Sequence, residues 1–195
     1  MAVSPSRATL GRCARLFCAE PPSLCDGQAP DESEDETVPD IRRATIDDAG
    51  AIASILHLKR LQYAEYQPTF WRVAPDAEEQ HQHFLRKVLG KSNTIAFVAE
   101  ADSSLIGVVI AGVIPPPPVY APGGPTCAID DFWVVDRSDW PTVGRALMAE
   151  VLLRAREEFA AAQAVVVCAR RDTPKREMLR AESFSIASEW WTLPL

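Results

Sequence analysis

The chain has 195 residues, 47% hydrophobic and 24% charged, which suits one soluble globular domain of ordinary size with a tail. Its formal net charge of −7 argues against a nucleic-acid binder that works through a broad basic surface. No apolar run approaches the roughly 20 residues of a membrane span, and five cysteines give neither a disulfide framework nor a paired zinc motif.

Residues 1–40 carry three arginines against eight acids, a local charge of −5 that leaves the remainder near −2. This stretch has no apolar periodicity. "SRATLGRCARLF" reads as at most a short basic helix and "DESEDE" as a solvated acidic run, so a disordered extension is expected over 1–40. Its cysteines, Cys13, Cys18 and Cys25, are expected to be reduced cytoplasmic thiols, like Cys127 and Cys168.

From residue 41 the pattern becomes structured. "IRRAT" predicts a short strand. The next helix carries Ile46, Ala49, Ile52, Ile55 and Leu58 at three-residue steps on one side, with Asp47 and Asp48 at its positive end. After "QPTFWRVAP", a second helix runs through "DAEEQHQHFLRKVLG" to Gly90. "TIAFVAEA" and "SLIGVVIAGVI", joined by "DSS", predict an antiparallel hairpin. "PPPPVYAPGGPT" is a proline-locked connection, "CAIDDFWVV" a strand, and 141–162 a long helix. "AVVVCA" predicts a buried-type strand, "TPKREMLRAE" a short helix, and "FSIASEWWTL" a last strand. Strand–helix–strand passages at the end favour parallel pairing there, so the expected architecture is a mixed α/β sheet covered by helices.

Several residues invite a chemical role. Asp130 and Asp131 interrupt an apolar strand, and an acid there needs a reason. In a regular strand consecutive residues face opposite sides, which puts Asp130 with Ala128, Phe132 and Val134 and sets Asp131 apart. Either can be a general base, its pKa raised by burial, or simply pair with an arginine. Tyr120 beside the proline turn can cover an acceptor or donate a proton, or merely anchor the loop. Tyr63, Tyr66, Phe70 and Trp71 can line a pocket or belong to the core. His81 and His83, two apart on a helix, point to different faces and form no metal site. Glu189, beside Trp190 and Trp191, is read mainly as part of an edge strand.

One stretch carries a resemblance. In "DFWVVDRSDWPTVGRALMAEVLL" a strand passes through a polar corner into a helix with glycine, Gly144, in its first turn. Glycine there costs about 1 kcal/mol against alanine. A phosphate resting on the helix N-terminus is one reason for it, and Pro141 suits the helix start. The stretch and the element order resemble the GNAT superfamily of N-acetyltransferases over about residues 41–195. In that family V-x-P is followed by R-x-x-G-x-G/A, whose amides bind the pyrophosphate of acetyl-coenzyme A. The family's valine falls on Val134 and its last glycine on Gly144. Its proline is Asp136 here, its arginine Asp139 and its second glycine Thr142, while Trp140 stands where a glycine is common. Asp139 is expected to cap the helix. In the family's final motif Asp172 lies near the asparagine, Leu179 takes the tyrosine position and Ser183–Phe184 stand for Gly-Phe.

The resemblance implies a mostly antiparallel mixed sheet with helices on both faces. It implies transfer of an acetyl group from acetyl-coenzyme A to a primary amine of a small molecule or a protein, without a metal. It places the coenzyme against Trp133, Val134, Val135, Thr142, Val143, Gly144, Arg145 and Ala146. It gives the parity of Asp130 to the catalytic base, with Asp131 and Tyr120 as the other candidates. A cytoplasmic protein with no nucleic-acid or membrane partner is implied, and a homodimer is compatible with it. The altered positions Asp139 and Leu179 raise an alternative, a catalytically inactive acyl-coenzyme A-binding or regulatory module.

Overall fold

The structure, a computed structural model, describes residues 39–116 and 118–195. The amino-terminal segment, with its three cysteines and acidic run, lies outside the described residues. Strand β1 (Asp40–Arg43) leads through a 3-10 turn (Ile46–Asp48) into α1 (Ala49–Tyr66), and α2 (Ala77–Val88) follows. Three strands come next: β2 (Thr94–Ala101), β3 (Ser104–Ile114) and β4 (Thr126–Val134). A 3-10 turn (Arg137–Asp139) and a π-helical turn (Trp140–Gly144) open α3 (Arg145–Phe159). Strand β5 (Gln163–Val166) and α4 (Thr173–Ala181) complete the order.

The five strands form one sheet in the order β1-β2-β3-β4-β5, antiparallel except for the parallel β4–β5 pair. Asp102 and Ser103, both at positive φ, make the two-residue turn between β2 and β3 whose twist matches its flanking strands. Helix α3 lies close on the sheet: a side chain at Gly107 of β3 would meet Leu147 Cδ1 at 2.9 Å. Helix α1 covers the opposite face of β4, where Trp133 meets Tyr63 edge-on, while the adjacent Phe132 turns to Trp140. The sheet is therefore sandwiched, as its apolar strands require.

Four features differ from expectation. The stripe on α1 does not hold its three-residue steps, because three residues fall 60° short of a full turn. Ile46 and Leu58 are half exposed, and the buried positions are Ala49, Ile52, Ala53, Leu56, Lys59 and Tyr63. Helix α3 starts only after the π-turn and stops at Phe159, where Ala160 takes a left-handed conformation. The segment "FSIASEWWTL" is no strand. Residues 184–195 carry no regular structure and add no strand to the outer edge of β5, which stays unpaired among the described residues. Strand β5 itself alternates exposed and half-buried residues, as an edge strand does, rather than being fully buried.

Candidate functional site

Strand β4 is bulged at its carboxylates. Asp131 pairs with Ile110 and Ile129 with Ala111, leaving Asp130 as an extra residue without a partner on β3. A bulge interrupts side-chain alternation. Both Asp130 and Asp131 consequently line one cavity of about 450 Å³ against α1, instead of facing opposite sides. The cavity's apolar wall includes Tyr63, Phe70, Trp71 and Trp190, with Trp190 edge-on to Phe70 at 5.7 Å.

The two carboxylates have unlike surroundings. Lys59 Nζ lies 2.8 Å from Asp131 Oδ1 and also donates to the carbonyl of Asp130 at 2.9 Å. His81 Nε2 lies 3.4 Å from the other Asp131 oxygen. Burial alone would raise Asp131, but Lys59 and His81 outweigh it and hold the carboxyl well below the usual carboxylate range. Asp130 is shifted the opposite way, raised by burial and by the neighbouring Asp131 charge, with Lys59 opposing. Paired groups driven apart in pKa are the usual arrangement of an acid–base site. The one held ionised is Asp131. The one whose carboxyl is shifted toward holding a proton is Asp130.

A second network begins at Tyr63 in the cavity wall. Tyr63 Oη donates to Asp172 Oδ2 at 3.0 Å, and Arg137 bonds the Tyr66 hydroxyl at 2.7 Å while approaching Asp172 at 3.5 Å. Burial, then the Asp172 charge, pushes the Tyr63 phenol far above its ordinary value, so it stays protonated.

Past Ile129 strands β4 and β5 no longer pair. Lys175 of α4 fills the gap, fully buried, donating to Val167 O at 2.8 Å and Phe132 O at 3.2 Å. Its ammonium also faces the rings of Phe132 and Trp140. Trp140, itself fully buried, explains Gly144: a Cβ there would come within 2.7 Å of Trp140 Cε3. The missing side chain makes room for an indole, and the backbone of Gly144 is ordinary helix. Asp139 makes no capping bond. Asp136 does the capping, accepting from Ser138 N at 2.8 Å.

Of the remaining sequence candidates, Trp133, Val134 and Val143 are buried, whereas Val135 and Thr142 are exposed. Thr142 Oγ1 donates to Asp139 O, Arg145 pairs with Glu182 at 2.7 Å, and Ala146 is half-buried. Leu179 is buried on α4, and Ser183 has φ of 65°, the left-handed region that favours glycine. Tyr120 stands 72% exposed on the β3–β4 connection, outside the cavity's lining. Glu189 lies in the unstructured carboxy-terminal segment, and no metal-holding group occurs among the described residues.

The sequence matches no family model and no curated protein. Its structure does have neighbours. A protein from Clostridium acetobutylicum, described as a predicted acetyltransferase and solved with acetyl-CoA, superposes with a TM-score of 0.62 at 17% identity, over 80% of this chain and 96% of that one. A ribosomal-protein-alanine N-acetyltransferase from Brucella melitensis biovar Abortus 2308 gives 0.56 at 20% identity, over 80% and 99%. An aminoglycoside acetyltransferase from an uncultured soil metagenomic sample, in complex with trehalose, gives 0.59 at 18%, over 83% and 100%. The chain has the GNAT fold.

Within that GNAT fold, sequence reasoning missed Lys59, Arg60, Arg137, Trp140 and Lys175. Two of them left a signal. Lys59 interrupts the buried stripe of α1 between Leu56 and Tyr63, and Lys175 sits one turn before Leu179 on the buried side of α4. A lysine at a core position demands a partner. Arg60, Arg137 and Trp140 gave none, since their roles depend on how the fold surrounds them.

Proposed function

We propose that residues 41–195 form an acetyl-CoA-dependent N-acetyltransferase that acts on a primary amine. The observation that carries this reading is Asp130, a carboxylate raised in pKa at the wall of an open cavity beside an anion held by Lys59. An acceptor amine arrives as an ammonium and must lose a proton before its lone pair can attack. Asp130 takes that proton, and Asp131 with Lys59 fixes the strand around it. General-base help of this sort is worth about 10²–10⁴-fold.

Acetyl-CoA supplies the activated acetyl group when bound. Thr142, Val143, Gly144, Arg145 and Ala146 would hold its phosphates, and the backbone of Trp133–Val135 its arm. The exposed Thr142 suits an anion at the start of α3, and Arg145 would have to leave Glu182 to join it. Asp136 and Asp139 at the same corner oppose it. The solved neighbours named as acetyltransferases, one holding acetyl-CoA, support the reading at the level of fold.

One observation favours a second reading, a non-catalytic acyl-CoA-binding or regulatory module. Lys175 already bridges the carbonyls in the strand gap, and Leu179 offers no proton to a departing thiolate. Thermal shift with acetyl-CoA, followed by thiol release with a panel of amines, separates the readings. A shift with thiol release supports the transferase, and a shift without release supports the module. No shift at millimolar coenzyme removes both.

A further inference from the structure

Five charged side chains line the cavity. Lys59 and Asp131 neutralise one another, which leaves Asp130, Arg60 and Arg72 without an ion-pair partner among the described residues. Only burial and the charges of Asp131 and Lys59 act on the Asp130 carboxylate; no hydrogen bond reaches it among the described residues. Arg60 lines the cavity too; its Nη1 is buried without a hydrogen-bond partner among them, and the charge of Asp131 acts on it. An unpaired buried guanidinium nitrogen costs stability, and each kilocalorie spent this way needs a reason. Around these two charges the wall is apolar and aromatic, built by Tyr63, Phe70, Trp71 and Trp190. Arg72, also lining the cavity, adds a second cation at its rim.

We propose that the cavity takes an α-amino acid with a large apolar or aromatic side chain, its ammonium on Asp130 and its carboxylate on Arg60. A carboxylate on a guanidinium can form two parallel hydrogen bonds, which orients the α-carbon. The side chain then lies among the four aromatic rings, where burial supplies affinity. A polycationic acceptor meets Arg60 and Arg72 and is disfavoured. The cavity volume, about 450 Å³, falls within the range of small-ligand sites. This assignment rests on the transferase reading for its chemistry, but the binding itself needs no coenzyme.

The test is calorimetric titration of the full chain, without coenzyme, using L-phenylalanine, 2-phenylethylamine and 3-phenylpropionate. Phenylalanine is expected to bind at least about 10-fold more tightly than either analogue, since each lacks one charge-assisted contact. Arg60→Gln should abolish the preference over phenylethylamine, and Arg60→Lys should restore part of it. Asp130→Asn should abolish the preference over phenylpropionate. Equal binding of phenylalanine and phenylethylamine by the unaltered protein overturns the proposal and points to an isolated amine. Equal losses for both ligands in Arg60→Gln, with no rescue by lysine, overturn it too, as does binding of none of the three. Phenylalanine binding with these preferences but without thiol release upholds the ligand assignment and counts only against acetyl transfer.

Discussion

On the α1 side of β4 an open cavity leaves Asp130 and Arg60 unpaired among the described residues, whereas where β4 and β5 part Lys175 fills the gap and bonds the carbonyls of Phe132 and Val167. The first region keeps charges that a stability-optimised protein would satisfy or delete. The second uses a buried lysine to satisfy two carbonyls and packs a tryptophan beside it, although the Trp140 indole nitrogen has no hydrogen-bond partner among the described residues. A site awaiting a ligand keeps its polar groups available, and a packed wall does not. The contrast assigns the acceptor side as the readier of the two, and makes coenzyme access the step most exposed to challenge.

Changing the base should have the largest effect. Asp130→Asn keeps the shape but cannot accept a proton near neutral pH, so turnover should fall about 10²–10⁴-fold with coenzyme affinity unchanged. Because burial and Asp131 raise the Asp130 carboxyl, the acidic limb of the wild-type rate profile should be displaced upward from that of a free aspartate and flatten in the variant. Steady-state thiol release across pH checks both points, and an unaltered rate would leave the cavity without a base. Lys59→Met comes next. It strands the Asp131 carboxylate, whose side chain is 21% exposed, and should lower stability in urea by about 3 kcal/mol. Less than about 1 kcal/mol would mean that His81 or water replaces the ammonium.

The helices, the hairpin and the sheet's mixed character were legible because each rests on local periodicity and turn chemistry. The bulge was not. Nothing in "AIDDFWV" distinguishes a regular strand from one in which Asp130 is extra, since the difference lies in how β3 pairs with it. Gly144 was legible as a position needing no side chain, but not why: the indole that fills the space comes from Trp140, four residues earlier in a π-turn that sequence spacing does not announce. The closing segment failed for the converse reason. Its aromatic and β-branched residues have strand propensity, yet among the described residues they do not pair with the open outer edge of β5, and propensity without pairing decides little.

Gly144→Ala probes the packed side of the comparison. The new methyl would overlap Trp140 Cε3, and overpacking of this kind typically costs about 1–3 kcal/mol. Trp140→Phe removes that ring carbon, so the same alanine in that background should cost measurably less. Urea melts of the four proteins give the coupling. Additive losses would show that the indole is not what the glycine accommodates.

The smallest effect concerns Lys175. Burial pushes its ammonium down from 10.5 to about 8, with Lys59 acting in the same direction and Cys168, Asp172 and Asp131 opposing. Above pH 8 the folded chain therefore gives up a proton that the unfolded chain still holds, and stability must rise with pH in that window. The thiols act oppositely: Cys127 and Cys168 are raised from 9.0 to about 11 by burial, so the unfolded state loses their protons first and stability falls above pH 9. The clean interval is thus pH 7 to 8.5, where Lys175 should add just under about 1 kcal/mol. Lys175→Met has no proton to lose and should be flatter than the wild type by that amount. Parallel profiles would mean that the wild-type lysine keeps its proton throughout, held by the carbonyls of Phe132 and Val167 as a permanent cation. A coenzyme arm entering the gap would then have to displace a charge, and the transferase reading would lose ground to the non-catalytic one.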